Sequence, residues 1–295
     1  MGSLMKWQDF GRSANVEDRR GQSGIPGGKG GLGIGTVVVL GLIGWALGID
    51  PRLLIGGAEM VNKMRPGTTA TQPGQTGTPS DDTGQLVAAV LAANETVWSE
   101  ILPQQKGIPY AKPKLVLYSG STPSGCGGAQ SAMGPFYCPR DQKVYLDTAF
   151  FQDMKRRLGG GGDFAYAYVI AHEIGHHVQN LLGILPKVQA AQQRAASMGN
   201  ESTANNLSVR VELMADCLAG VWAANQEQKQ HFLEPGDLES AVATAQAIGD
   251  DRLQKASRGM AVPDSFTHGS SAQRVQWLST GLKSGEVDSC NTFAQ

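Results

Sequence analysis

Residues 171–177 read Ala-His-Glu-Ile-Gly-His-His, inside a stretch that carries Phe164, Ala167, Val169, Ile170, Ile174, Val178 and Leu181 at helical spacing. On a helix, residues four apart sit one turn apart on the same face, so His172 and His176 project together. Two imidazoles so placed can reach one tetrahedral ion, and the His-Glu-x-x-His pattern suits zinc. Glu173 projects roughly 100° round the helix from His172, towards whatever water such an ion holds. The helix follows the glycine run 159–162, with Asp163 as its expected N-cap, and stops near Gly183 and Pro186. That glycine run is no phosphate loop, because Gly-Lys-Ser/Thr is missing.

A catalytic zinc ion needs a third protein ligand. The extended pattern His-Glu-x-x-His-x-x-Gly-x-x-His fails here, since Gln179 takes the glycine position and Leu182 the last histidine position. The best candidate lies in Arg210-Val-Glu-Leu-Met-Ala-Asp216, on the next long helical pattern. Glu212 and Asp216 are four apart and share a face. Glu212 would complete the ligand set, and Asp216 would accept a hydrogen bond from the outer nitrogen of His172. The alternative is an exposed acidic edge on an otherwise apolar helix.

The chain has 295 residues, 41 % of them hydrophobic, enough for a sizeable core. A formal net charge of −1 argues against a nucleic-acid partner. Cys126, Cys138, Cys217 and Cys290 form no Cys-x-x-Cys pair, so a structural zinc cluster is not expected. Pairing neighbours in sequence gives disulfides Cys126–Cys138 and Cys217–Cys290; the alternative is four reduced thiols.

The expected organisation has four parts. Residues 1–30 are polar and Gly-rich and read as a disordered tail. Residues 31–49, GLGIGTVVVLGLIGWALGI, carry no charge and are about long enough for a transmembrane helix. Other readings of that run are a core helix or a removed signal. Residues 50–84 read as a flexible linker, and 85–295 as the folded domain. Lys6, Arg12, Arg19, Arg20 and Lys29 before the run outnumber Arg52, Lys63 and Arg65 soon after it, which points to N-terminus inside and body outside.

Within the domain, helices are expected at 85–102, 149–158, 207–229, 236–256 and 271–282, besides the His-Glu-x-x-His helix. Strands are expected at 114–118, 135–138 and 143–147, with a Gly/Ser-rich loop over 119–134. The fold class is therefore α+β, mostly helical, with a small β-sheet.

His-Glu-x-x-His followed by Glu-x-x-x-Asp resembles the gluzincin arrangement. More closely, the chain resembles the bacterial family of putative neutral zinc metallopeptidases. The resemblance rests on Asn15-Val-Glu-Asp-Arg-Arg-Gly21, the loop at Cys126, Gly134-Pro-Phe-Tyr-Cys138-Pro, Val144-Tyr-Leu-Asp147, the 171–177 stretch, Glu212-Leu-Met-Ala-Asp216-Cys217 and Thr267-His-Gly-Ser-Ser-Ala-Gln-Arg274. It implies a zincin-like fold and a Zn2+ cofactor held by His172, His176 and Glu212, with Glu173 as general base. The implied substrate is a peptide or protein. The apolar run, the charge bias and the cysteine content give the expected location as the bacterial inner membrane, single-pass, with the N-terminus cytoplasmic and the catalytic domain periplasmic or extracellular.

His268 and Arg274 resemble a motif of membrane-associated zinc peptidases. His268 is the first candidate for stabilising the oxyanion, ahead of Tyr137, Tyr145 and His231; a loop-bracing role is its alternative. Arg274 would brace Asp216 or another carboxylate. His177 faces away from the ligands and suits packing. Residues 144–146 are the nearest strand in sequence for edge pairing with a substrate. A membrane-tethered zinc scaffold without proteolytic activity is the competing function, and Glu173 disfavours it, since a structural site needs no base. A zinc hydrolase of non-peptide amides is the third.

Overall fold

The computed structural model describes residues 5–21, 75–157 and 162–294. The apolar run 31–49 lies outside the described residues, among which no helix is long and apolar enough to cross a membrane. The chain is a mostly helical α+β fold with a small sheet, as its patterning implies.

The strands are β1 (Val16–Asp18), β2 (Gln75–Thr76), β3 (Lys114–Tyr118), β4 (Ser121–Ser124), β5 (Gly127–Gln130), β6 (Phe136–Cys138) and β7 (Lys143–Asp147). Five of them form one sheet in the order β2-β1-β3-β7-β6. The pairs β1–β3 and β3–β7 are parallel, whereas β2 and β6 run antiparallel to their neighbours. Side chains alternate across β3: Leu115 and Leu117 enter the main core, while Val116 and Tyr118 join Ala129, Cys138 and Tyr145 in a second cluster. The hairpin β4–β5 covers that second face, and the disulfide Cys126–Cys138 ties it to β6, with 5.8 Å between Cα atoms.

The helices are α1 (Asp82–Lys106), α2 (Ala149–Arg157), α3 (Asp163–Leu181), α4 (Ile184–Ser197), α5 (Glu201–Gln230), α6 (Asp237–Ala247), α7 (Asp250–Arg258) and α8 (Ser271–Ser284). Helix α3 carries the His-Glu-x-x-His residues and is buried on nearly every side, which suits its apolar composition. Helix α5 packs along it and α8 along α5. The α5–α8 crossing brings backbones together: a Cβ at Gly281 would lie 1.9 Å from the Cys217 carbonyl oxygen, and one at Gly220 would lie 2.3 Å from that of Leu278. The disulfide Cys217–Cys290 fastens the C-terminal turn to α5 beside this crossing.

Several expectations are corrected. Residues 5–21 are no disordered tail: Met5 and Val16 are fully buried, and β1 lies inside the sheet between β2 and β3. Tertiary pairing thus outweighs polar composition. The linker ends early, since β2 begins at Gln75 and α1 at Asp82, where Asp81 caps the helix by accepting from the Gly84 N–H at 3.1 Å.

Asp163 is not the N-cap of α3; Gly162 is, with φ 111°. The Asp163 carboxylate instead accepts a hydrogen bond from Trp7 Nε1 at 2.7 Å. Gly183 and Pro186 end one helix but do not prevent the next. Proline in the first turn of α4 removes an N–H that has no helical partner there. The stretch 119–134 is a hairpin and a short 3-10 turn rather than a loop. The helix expected over 236–256 is two, because Gly249 packs against Ser271, whose backbone N would lie 2.4 Å from an added Cβ.

Candidate metal centre

The spacing of His172 and His176 on α3, and the packing of α5 against α3, bring His172, His176 and Glu212 together. Their ligand atoms all lie within 4.8 Å of one another. His172 Nε2 is 3.2 Å from Glu212 Oε2, and His176 Nε2 is 3.6 Å from Glu212 Oε1.

The outer nitrogens are engaged elsewhere. His172 Nδ1 donates to Asp216 Oδ1 at 2.8 Å. His176 Nδ1 donates to Gln179 Oε1 at 2.9 Å, and Gln179 Nε2 donates to the Val211 carbonyl at 2.7 Å, which fixes the amide orientation. Both rings are thereby held with Nε2 turned towards Glu212. Two imidazole nitrogens and one carboxylate make the donor set of a catalytic zinc site that leaves a position open, so these residues fit the ion.

Asp216 is fully buried, and both of its oxygens accept hydrogen bonds. Arg274 Nε donates to Oδ2 at 2.9 Å and Arg274 Nη2 to Oδ1 at 2.9 Å, while the Tyr168 hydroxyl donates to Oδ1 at 2.6 Å. Burial alone would raise the Asp216 pKa, but the charges of Arg274 and His172 and their hydrogen bonds hold it down at about 2. Burial likewise opposes protonation of His172; the charge and hydrogen bond of Asp216, then Glu212, outweigh it and raise its pKa to about 10. Glu212 is held well below the carboxylate range, because His176 and His172 outweigh its burial. A bound cation would take over that role.

Glu173 is buried, and burial pushes its carboxyl pKa up despite the nearby histidines. The backbone N–H of Tyr137, on β6, interacts with its carboxylate. The Tyr137 hydroxyl donates to His177 Nδ1 at 3.0 Å and accepts from Asn180 Nδ2 at 3.1 Å; His177 Nε2 donates to the Ala111 carbonyl at 2.6 Å. Burial pushes the His177 pKa below the ordinary imidazole value. It packs α3 against β6 and touches no candidate ligand.

His268 stands at the mouth of the centre, half-exposed, near enough to Glu212 for its charge to lower the Glu212 pKa. Its Nδ1 is 3.3 Å from Asp250 Oδ1 and 3.0 Å from Thr267 Oγ1. Asp250 Oδ2 accepts the backbone N–H groups of Thr267, His268 and Gly269 at 2.7, 2.6 and 3.1 Å, clamping the loop that carries the histidine. The break between α6 and α7 is what sets Asp250 there.

The other oxyanion candidates lie elsewhere. The Tyr145 hydroxyl donates to Asp141 Oδ2 on the far face of the sheet. His231 caps the C-terminus of α5, its side chain 85 % exposed and roughly 29 Å along the helix from Glu212 at 1.5 Å per residue. Residues 144–146 are not an edge either, since β7 is paired on both sides; the nearby edge is β6.

Sequence reasoning missed Gln179, Tyr168 and Asp250. Tyr168 and Gln179 carried a signal, for they sit four before His172 and three after His176 on one face of α3. Asp250 carried none.

The chain matches the model of the family described as putative neutral zinc metallopeptidase over residues 5–293, and it belongs to that family. It is 46 % identical over 301 residues to uncharacterized protein YpfJ of Escherichia coli strain K12, covering 99 % of each chain. It is 44 % identical over 218 residues to uncharacterized protein Mb2605 of Mycobacterium bovis and to uncharacterized protein Rv2575 of Mycobacterium tuberculosis, covering 70 % of each chain. No solved structure matches it. Membership identifies a zinc metallopeptidase family, hence a hydrolase at the coarse level with zinc as the implied cofactor.

Proposed function

We propose that this family member is a gluzincin-type peptidase in which His172, His176 and Glu212 hold zinc and Glu173 is the general base. One observation carries the reading: the outer nitrogens of both histidines are occupied by Asp216 and Gln179, so the inner nitrogens converge with Glu212 while Glu173 remains outside that set. Zinc in such a set supplies Lewis acidity, lowering the pKa of water and polarising a carbonyl.

The residues of the chain supply the rest. Glu173, its pKa raised by burial, accepts the proton of the attacking water on a carboxylate oxygen and returns it to the leaving amine. His268, with Nδ1 turned to Asp250, has Nε2 free of hydrogen-bond partners among the described residues and can donate it to the developing oxyanion. Strand β6 has no partner on its outer edge among the described residues, and its Tyr137 N–H faces Glu173. An extended peptide adding to that edge lies alongside the base, which makes a peptide or protein the fitting substrate.

The test is metal content and cleavage of a broad peptide library by the purified chain, before and after chelation. Cleavage that is lost with the chelator and restored by zinc supports the proposal. Stoichiometric zinc with no cleavage favours the scaffold reading instead.

A further inference from the structure

Residues 5–21 are built into the domain rather than laid on it. The Lys6 N–H donates to the Phe232 carbonyl at 3.0 Å, and Lys6 Nζ pairs with Glu234 at 2.7 Å. Trp7 holds Asp163 at the start of α3, and Phe10 packs on Phe232 with ring centroids 5.4 Å apart. Ser13 Oγ and Asn15 Nδ2 both donate to Glu95 Oε1 on α1, at 2.8 and 2.7 Å. In β1, Val16, Glu17 and Asp18 pair in parallel with Leu115, Val116 and Leu117. Beyond β1, Arg20 bridges Asp18 at 2.6 Å and Asp81, the N-cap of α1, at 2.5 Å.

The described chain runs to Gly21 and resumes at β2, where Gln75 is the register partner of Asp18. Paired strands lie about 4.8 Å apart, so the points where residues 5–21 stop and residue 75 begins lie together at one end of the β1–β2 pair. A single crossing by residues 31–49 would put β1 and β3 on opposite sides of about 30 Å of hydrocarbon, and the sheet could not form. Only an even number of crossings keeps it intact. A second crossing would have to use 50–74, which contains Asp50, Arg52, Glu59, Lys63 and Arg65. Charges at mid-bilayer are costly.

We infer that residues 5–21 and the domain from residue 75 onward occupy the same side of any membrane the protein meets. Flanking charge suggests a different arrangement, with N-terminus inside and body outside. Charge bias orients a segment that spans; it does not establish that the segment spans. The inference rests on strand pairing and is independent of the zinc chemistry.

The experiment uses the full chain in its native membrane. Ala14→Cys and Ser202→Cys place thiols at exposed positions in the two parts. Each variant is treated with a membrane-impermeant maleimide in intact spheroplasts and again after permeabilisation. The expected result is the same ratio of labelling, within about twofold, at both positions. Labelling of one position in intact spheroplasts, with the other reached only after permeabilisation, overturns the inference.

Zero-length carbodiimide coupling of the unsubstituted chain in membranes gives a second reading that needs no new thiol. A Lys6–Glu234 cross-link in the peptide map supports the inference. Its absence, while the Lys106–Asp288 pair at 2.5 Å does couple, overturns it.

Discussion

Arg274 grips both carboxylate oxygens of Asp216, at 2.9 Å each, in a pair that is almost fully buried. Asp216 in turn receives the Nδ1 proton of His172, so an arginine on α8 sets the ring orientation of a candidate ligand on α3 through an acid on α5. Removing one partner of a buried pair leaves the other uncompensated, at a cost of about 3–5 kcal/mol. Arg274→Met should therefore lower the urea midpoint of the zinc-free protein strongly. Arg274→Lys keeps the charge but loses the fork and should fall between. An unchanged midpoint in Arg274→Met would show that the pair does not stabilise the fold.

Gln179 does for His176 what Asp216 does for His172, with a neutral acceptor. Gln179→Leu keeps the approximate volume and removes both the acceptor for His176 and the donor to Val211. Zinc affinity should drop by about 10–100-fold, as is usual when the outer partner of a ligating histidine is lost. Gln179→Glu can still accept from His176 and should lose less. Competition titration with a zinc chromophore measures both, and equal affinity in wild type and Gln179→Leu would remove Gln179 from the centre.

Asp250 and His268 form a charge pair with opposite shifts. Burial would raise the Asp250 pKa, but the hydrogen bond and charge of His268, with the backbone N–H groups of the loop, lower it. Burial would lower the His268 pKa, but the Asp250 hydrogen bond and then the Glu212 charge raise it. A depressed acid stabilises fully above its unfolded pKa, about 3.9, and that stability is lost as pH falls through the folded value. A raised histidine stabilises fully below its unfolded pKa, about 6.5, and that stability is lost as pH rises through the folded value. The pair therefore contributes most between about pH 4 and 6.5. Melting temperatures of wild type and Asp250→Asn should differ most in that window and converge on either side. A difference independent of pH would leave only the uncharged loop clamp.

The parts of this site that were legible in sequence lie within single helices or on a pair of helices with strong periodicity. His172 and His176 share a face by spacing alone, and Glu212 and Asp216 stand out as acids on an apolar stretch. Both disulfides follow from neighbours in sequence, and the structure pairs them so. Strand β1 was illegible because three residues flanked by charge show no usable alternation. Its Glu17 is buried only because Arg19 and Lys143, brought in from β7, pair with it at 2.7 and 2.8 Å. Asp250 was hidden for a similar reason: the contact that breaks α6 from α7 comes from Ser271, the first residue of α8. Such features are decided by long-range packing, which local propensity does not encode.

The α5–α8 crossing gives a test of packing on its own. An added Cβ at Gly281 meets the backbone of Cys217, which has no flexible end to move aside. Overpacking of this kind costs about 1–3 kcal/mol or more. Gly281→Ala should destabilise the fold by at least that much, and by displacing α8 it should also disturb the Arg274–Asp216 pair. Gly285, at the end of the same helix with φ 65°, meets no backbone, so Gly285→Ala should show only the strain of its left-handed conformation. Chemical denaturation of the two variants separates the effects, and equal midpoints for Gly281→Ala and wild type would mean that the helices separate freely.

Glu173 and Glu212 are both acids of the candidate centre, yet their environments divide the work. Glu212 faces both Nε2 atoms and is held strongly ionised, whereas Glu173 stands outside the donor set with its pKa raised by burial. Glu173→Gln should leave the donor set and the fold intact. Metal content should stay near that of wild type while turnover falls by about 10²–10⁴-fold. Glu212→Gln removes an anionic donor and should weaken zinc binding itself, and activity should fall with occupancy. Zinc titration of both variants beside a peptide-cleavage assay distinguishes the two roles. Unchanged zinc affinity in Glu212→Gln would move the third ligand to His268, since His231 lies at the far end of α5. Unchanged turnover in Glu173→Gln would end the general-base mechanism and leave a zinc site without a hydrolytic role for its nearest free acid.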